Sequence, residues 1–159
     1  MPRSSELKRA VQALYRARIA NDIDTIMAQL DPEFSFRIAA SGRLGAIAMA
    51  VNTPESVRST FLDLMDSWDL SGMKTIGTYV DGETIVTHRS GTIRFIPSDT
   101  EAETEFIDKF TFRNGRIIDF TEFVDTLFVA ETIGLLGEQG DHRDETADYS
   151  PSTLDRMSL

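Results

Sequence analysis

The first forty residues change from a helical to an extended hydrophobic pattern. Apolar side chains in residues 7–18 recur every three or four positions, which predicts an amphipathic helix to about residue 20. Asn21 and Asp22 are favourable caps for a second, shorter helix, and Pro32 ends helical geometry. Residues 34–38 then alternate with the period of a half-buried strand. The predicted face of the first helix contains Leu7, Val11, Leu14 and Arg18.

The next segment contains one ambiguous stretch and one clear helix start. Residues 39–52 combine turn signals with a short apolar run, and both a strand and a lid are compatible with them. Thr53 followed by Pro54 predicts a third helix, because threonine caps helices and proline fits the first helical position. We expect that helix to end near Ser71 and Gly72. Its apolar stripe contains Val57, Phe61, Leu64, Met65 and Trp68.

The second half of the chain predicts an antiparallel meander. Alternation of period two marks strands near residues 73–80, 84–96, 103–113 and 116–124. Asp81-Gly82 and Asn114-Gly115 are dipeptides that tight hairpins favour, because both central residues take positive φ. Asp125 or Thr126 caps a last short helix that reaches Leu136. The polar, acidic residues 137–159 are predicted to form a tail.

Composition narrows the class of protein. With 159 residues, 41% of them hydrophobic, we expect one domain over residues 1–136, followed by the tail. No apolar run reaches the roughly 18 residues of a membrane span, and the N-terminus lacks a secretory signal, so a cytoplasmic location is predicted. The chain has no cysteine and two histidines, which argues against a metal site, and no cofactor is expected. A net charge of -10 disfavours nucleic acid as a partner.

Three charged residues fall in otherwise apolar strand registers. Residues two apart share a face of a strand, so Arg89, Asp108 and Glu122 are expected to point to the same side of the sheet as apolar neighbours such as Phe106, Phe110, Ile118 and Phe120. Buried charges need partners. Two interpretations stay open: an Arg89–Glu122 ion pair that fills the core, or a polar group that orients one end of a hydrophobic ligand.

The order of elements resembles that of the nuclear transport factor 2-like superfamily, in its SnoaL-like and ketosteroid isomerase-like branch. The strings that carry this resemblance are Asn21-Asp22-Ile23-Asp24, Pro32-Glu33-Phe34, the segment from Arg113 to Ile118, and the segment from Thr121 to Thr126. The resemblance implies an α+β roll, a cone-shaped curved antiparallel sheet wrapped by the N-terminal helices around an apolar pocket. It also implies homodimers that pair through the outer face of the sheet.

Two enzyme groups within this superfamily share part of their site residues with the chain. Asp108 matches an aspartic acid that ketosteroid isomerases keep protonated, but the accompanying tyrosine falls at Leu14, next to Tyr15, and the general base falls at Ile38. Limonene epoxide hydrolases share an arginine at Arg89 and a carboxylate at Glu122. Their second carboxylate falls at Gly91, and their water-holding tyrosine and asparagine fall at Phe36 and Ile38.

The sequence therefore predicts a pocket for a hydrophobic small molecule. One hypothesis is cofactor-independent acid–base chemistry of isomerase, cyclase or hydratase type, and the alternative is a non-catalytic binding module. The candidate catalytic residues are Asp108, Glu122 and Arg89. The candidate ligand-binding residues are Phe36, Ile38, Trp68, Thr87, Phe106, Phe110 and Phe120. A homodimer is expected through an outer face formed by Val86, Ile107, Lys109, Thr111, Ile117 and Phe123.

Overall fold

The computed structural model describes residues 4–136, apart from the side chains of Arg43 and Ala46, so the predicted tail lies outside the described residues. Within this range no helix is long and apolar enough to cross a membrane. The helices are α1 (Ser4–Ile19), α2 (Ile23–Ala28), α3 (Pro54–Ser67) and α4 (Thr126–Thr132), with 3₁₀ turns at Gly42–Ala48 and Ile96–Ser98. The strands are β1 (Leu30–Ile38), β2 (Trp68–Asp81), β3 (Thr84–Phe95), β4 (Thr100–Arg113) and β5 (Arg116–Phe123).

The strands of residues 4–136 form a single mixed sheet in the order β1-β5-β4-β3-β2. Strands β2 to β5 are the predicted antiparallel meander. Strand β1 lies at one edge of the sheet and pairs in parallel with β5. Parallel pairing needs a long connection between the two strands, which the intervening elements provide. Register shifts in the β2–β3 and β4–β5 pairs bend the sheet, as bulges do. The α+β fold class is thus confirmed, with a curved, unclosed sheet.

The hydrophobic core lies between the inner face of the sheet and the helices. Helices α1 and α3 each bury one apolar stripe, at the spacing that the sequence predicts. Alternate residues of β1, β3 and β4 are buried against these stripes. Most of these buried side chains are aromatic or branched. Among the most buried core residues are Leu7, Val11, Val57, Phe61, Phe34, Phe36, Ile85, Phe110 and Phe112.

Local capping chemistry starts the helices where the sequence indicates. The Asp22 side chain accepts a hydrogen bond from the backbone of Thr25 at the start of α2. Thr53 and Ser56 form a reciprocal capping box ahead of α3. Asp125 caps α4 by accepting from the backbone N–H of Phe128. These caps satisfy N–H groups that otherwise have no partner in a first helical turn.

The two hairpins differ from each other. Asn114 and Gly115 both have positive φ, 52° and 79°, as predicted. In the β2–β3 hairpin the loop residues are Gly82 and Glu83 rather than Asp81 and Gly82, and positive φ falls on Gly82 at 58°. The predicted pair of positive φ values at Asp81 and Gly82 is therefore wrong, because Asp81 is still paired with Thr84 in the ladder.

Two register predictions are also corrected. Trp68 is not in α3 but begins β2, where it pairs with Phe95 with ring centroids 4.8 Å apart, so sheet pairing outweighs the helical pattern. The β4–β5 ladder passes from Thr111–Asp119 to Phe112–Ile117 and skips Ile118. Ile117 therefore lies in the core, only 1% exposed, and Ile118 does not occupy the inner position predicted for it.

The ambiguous segment is neither a regular strand nor a long helix. It contains the 3₁₀ turn Gly42–Ala48, which is kinked at Gly45, where φ is 55°. Val51 then forms an isolated bridge with Phe36, through hydrogen bonds in both directions. The segment is thereby tied to β1 beside the core.

Gly91 is the position at which the sheet is least tolerant of a side chain. It has φ +148°, and a Cβ there would lie 2.2 Å from the carbonyl oxygen of Gly72 on β2. We expect Gly91→Ala to lower the free energy of unfolding by about 2 kcal/mol or more, through strain and steric overlap. Ser90→Ala on the same strand is the control, with an expected change within about 0.5 kcal/mol. Urea denaturation compares the two, and equal stabilities would contradict the steric account.

Candidate functional site

Three polar residues of the inner face form a row across β3, β4 and β5, next to an apolar residue of β1. Thr87 on β3 pairs with Asp108 on β4, Asp108 pairs with Glu122 on β5, and Glu122 pairs with Ile38 on β1. Paired residues on adjacent strands project to the same face. The strand register therefore places the two predicted carboxyl groups directly beside each other under the helices.

Tyr15 of α1 contacts this row from the helical side of the sheet. Its hydroxyl donates a hydrogen bond of 2.6 Å to Asp108 Oδ2 and lies 2.5 Å from Thr87 Oγ1, which donates in turn. Asp108 is fully buried, and its second oxygen, Oδ1, has no hydrogen-bond partner among the described residues. Tyr15 follows the position at which the ketosteroid isomerase pattern places its tyrosine, and its hydroxyl contacts the matching aspartate. The sequence alone did not show that the rotation of α1 brings Tyr15, rather than Leu14, to Asp108.

Arg89 does not form the ion pair considered from the sequence. No carboxylate of the described residues lies within 4.0 Å of its guanidinium, Glu122 included. Instead the guanidinium carbon lies 3.9 Å from the centroid of the Tyr15 ring, a cation–π arrangement. Arg89 is only 3% exposed and its Nε has no acceptor. The interpretation as a structural ion pair is therefore wrong.

Arg18 is a site residue that the sequence analysis did not assign. Its Nη2 donates hydrogen bonds of 2.9 and 2.7 Å to the carbonyl oxygens of Leu64 and Trp68, at the carboxyl end of α3. The rest of the side chain lines the cavity. The available signal was a charged residue on the apolar face of α1, four positions after Leu14.

Burial raises the pKa values of the acidic groups in this cluster. Desolvation raises the pKa of Glu122 to about 8, the negative charge of Asp108 raises it further, and Arg18 and Arg89 oppose the shift. Desolvation also raises the pKa of Asp108 to about 6, against the hydrogen bond from Tyr15 and the charge of Arg89. The pKa of Tyr15 is raised by burial and by Asp108. Near neutral pH the two carboxyl groups share one proton, as adjacent carboxylates do.

These groups face a cavity of about 80 Å³ between α1, α3 and the inner sheet face. All three candidate catalytic residues line it, and so do Phe36, Ile38, Trp68, Phe106 and Phe120. Thr87 and Phe110 are not among the lining residues of this cavity. Thr87 is covered by Tyr15, and Phe110 is covered by Phe120, with ring centroids 4.3 Å apart. The lining residues missed from the sequence are Leu14, Tyr15, Arg18, Ile26, Phe61, Leu64, Leu70, Ile93, Val124 and Val129.

Comparison with known proteins agrees with this architecture. The SnoaL-like domain model matches residues 11–120, a range that includes the second half of α1 and most of the sheet. No curated protein matches the chain.

Solved structures with the same fold have distant sequences. An NTF2-like protein of unknown function from Burkholderia pseudomallei K96243 is 17% identical with a TM-score of 0.70, over 79% of this chain and 95% of that one. An LEH-like epoxide hydrolase from M. tuberculosis is 18% identical with a TM-score of 0.64, over 83% and 98%. A provisionally named SnoaL-like polyketide cyclase from Jannaschia sp. CCS1 is 20% identical with a TM-score of 0.68, over 84% and 96%.

The raised carboxyl pKa values predict the pH dependence of stability. A carboxyl group whose pKa is higher in the folded protein stabilises the fold fully below its unfolded pKa, and this contribution is lost as the pH rises through the folded pKa. For Glu122 that window extends from 4.5 to about 8. We expect Glu122→Gln, which mimics the protonated acid, to be more stable than the wild type at pH 8.5 by at least about 1.4 kcal/mol, the equivalent of one pKa unit.

Denaturant titrations at pH 5 and pH 8.5 test this, with Glu101→Gln at the exposed start of β4 as the control. The stabilisation by Glu122→Gln should shrink at pH 5, and the control should change little at either pH. A loss of stability of about 3 kcal/mol at pH 8.5, as expected when a buried ion pair is broken, would contradict the analysis.

Proposed function

The chain belongs to the SnoaL-like domain family, and on this premise we propose that it is a cofactor-independent acid–base enzyme acting on a small hydrophobic molecule. Glu122 is the group that transfers the proton. Its carboxyl lines the cavity, and no hydrogen bond or close ion pair ties it to another side chain of residues 4–136. This unengaged acid in an apolar cavity is the observation that supports the proposal most directly.

The burial of Glu122 suits it to proton transfer near neutral pH. A general acid or base works best when its pKa lies close to the working pH, and desolvation moves the pKa of Glu122 in that direction. In its ionised form the carboxylate takes a proton from a carbon next to a carbonyl group, and the electron pair of the C–H bond passes to the carbonyl oxygen. The protonated carboxyl then returns a proton to the same or another carbon. Isomerisation and cyclisation share this first step.

Asp108 acts in this proposal as a positioning residue. It is fully buried and its Oδ2 accepts the hydrogen bond from Tyr15, while its charge raises the pKa of the neighbouring Glu122. Glu122 also lies beside Ile38, the position where the ketosteroid isomerase pattern has its base. The carboxyl group thus enters the same part of the cavity from the adjacent strand. Phe36, Phe106 and Phe120 supply the apolar wall for the body of the ligand.

A non-catalytic binding module is the second candidate. The observation that favours it is the absence of a carboxylate at Ile38 and at Gly91, where the enzymes discussed above have catalytic acids or bases. The same cavity would then bind its ligand without a proton transfer. The two functions differ in whether a bound carbon acid exchanges its protons.

Exchange of carbon-bound hydrogen for deuterium tests the proposal without knowledge of the substrate. We expect the wild type in D₂O to accelerate exchange next to the carbonyl of at least one of acetophenone, 2-tetralone and phenylpyruvate, followed by NMR. Glu122→Gln should lower this rate about 100-fold or more, within the usual contribution of a general base. The rate should rise with pH through the raised pKa of Glu122.

Glu101→Gln, which changes the same side chain at an exposed site, should exchange at the wild-type rate. Exchange that survives Glu122→Gln would exclude Glu122 as the proton-transfer group. Binding of these ketones without any exchange would support the binding module instead.

We also propose that two copies pair through the outer sheet face. Ile107 and Phe123 are cross-strand neighbours there, 37% and 45% exposed, and His88 pairs with Ile107 in the next strand. Apolar side chains grouped in this way on a sheet favour association. Ile117 is no longer part of this face, since it lies in the core.

Light scattering after gel filtration tests the pairing. The wild type is expected to have the mass of a dimer, and Phe123→Glu the mass of a monomer. Ile19→Glu changes an equally exposed apolar residue at the end of α1, with 46% exposure, and should leave the dimer intact. A monomeric wild type would refute the proposal.

A further inference from the structure

Arg89 is the cavity residue whose hydrogen-bonding capacity is least satisfied. A guanidinium carries five N–H donors, and the buried Nε of Arg89 has no acceptor among the described residues. The side chain is nevertheless almost completely buried. Buried donors without acceptors are costly, and charged donors more so. An acceptor supplied by a bound ligand would therefore lower the cost of burying this side chain.

The contact with Tyr15 determines which part of the guanidinium remains available. The guanidinium carbon of Arg89 lies over the Tyr15 ring, 3.9 Å from the ring centroid. The N–H bonds point outward from that carbon in the guanidinium plane, so a contact made through the carbon leaves them available to acceptors at the edge of the group. A planar carboxylate fits such an edge with two parallel hydrogen bonds.

The charges around the cavity favour the same kind of ligand. Arg18 lines the cavity together with Arg89, and the hydrogen bonds of Arg18 go to neutral carbonyl groups. Neither arginine has a carboxylate of the described residues within 4.0 Å. Near neutral pH the pair of carboxyl groups holds one proton, which leaves one negative charge on the pair against two positive charges. A ligand with one negative charge would balance the cluster.

We propose that the ligand of this cavity is a small hydrophobic carboxylate, whose two oxygens bind the donor edge of the Arg89 guanidinium while its apolar body packs on the aromatic wall. This inference rests on the proposed function for the location of the ligand, and it adds the chemical class. It assigns Arg89 a role in substrate specificity rather than in proton transfer.

Trp68 allows a direct binding experiment, because it is the chain's only tryptophan and lines the cavity. Benzoate and benzamide have nearly the same shape and differ in charge, and each is titrated while tryptophan fluorescence is recorded. We expect benzoate to bind the wild type about tenfold more tightly or better, because hydrogen bonds to charged groups are the stronger ones. Arg89→Met should remove this preference. Arg37→Met, at an exposed arginine of β1, should retain it.

Equal affinities of the wild type for the two compounds, or no binding of benzoate, would overturn the inference, and so would a preference that persists in Arg89→Met. If Arg89→Met does not fold, Arg89→Lys replaces it, and the loss of the planar fork should still weaken benzoate binding. Deuterium exchange of acetophenone and 2-tetralone, the two neutral ketones, is independent of this result. Exchange without benzoate binding would refute the carboxylate class alone, and benzoate binding without exchange would refute the proton transfer alone.

Discussion

The hydrogen bond from the Tyr15 hydroxyl to Asp108 is the contact on which the architecture of the cavity depends. It joins α1 to the centre of the sheet, and Thr87 completes it from β3. Because Asp108 Oδ1 already lacks a partner, loss of this bond would leave both oxygens of a buried carboxyl group unsatisfied. The same tyrosine ring supports the Arg89 guanidinium. Tyr15 therefore both anchors α1 on the sheet and takes part in the electrostatics of the cavity.

If the carboxyl pair has the proposed function, stability and function oppose each other at this pair. Asp108 and Glu122 are direct cross-strand partners, so full ionisation of both would place like charges side by side in a poorly solvated space. The fold avoids that cost by keeping a proton on the pair. An apolar pair would be less costly to bury, yet it would hold no transferable proton. Functional sites often retain groups of this kind at the expense of stability.

The sequence predicted most of the fold because local signals and the global pattern agree. The helix caps at Asp22 and Thr53 and the hairpin at Asn114-Gly115 were in their expected places, and all four strands of the meander were found, although β2 begins earlier than predicted. The site was predicted in part. Strand alternation brought Arg89, Asp108 and Glu122 to one face, but the sequence could not show that Arg89 stacks on Tyr15, since that contact depends on the rotation of α1 over the sheet. The skipped residue Ile118 was missed for a related reason: a bulge shifts the register without a distinct sequence signal.

The backbone also limits which chemistry of related folds can be transferred to this chain. At Gly91 the approach of the Gly72 carbonyl excludes any side chain, so the second carboxylate of the epoxide hydrolase pattern has no space here. At Ile38 the side chain is apolar, but its partner in the β1–β5 ladder is Glu122. The parallel pairing of β1 with β5 thus brings a carboxyl group to the same part of the cavity from a neighbouring strand. In the acid–base chemistry that we propose, Glu122 would take the role of that base, and a bound substrate would present its reacting carbon to β5 instead of to β1.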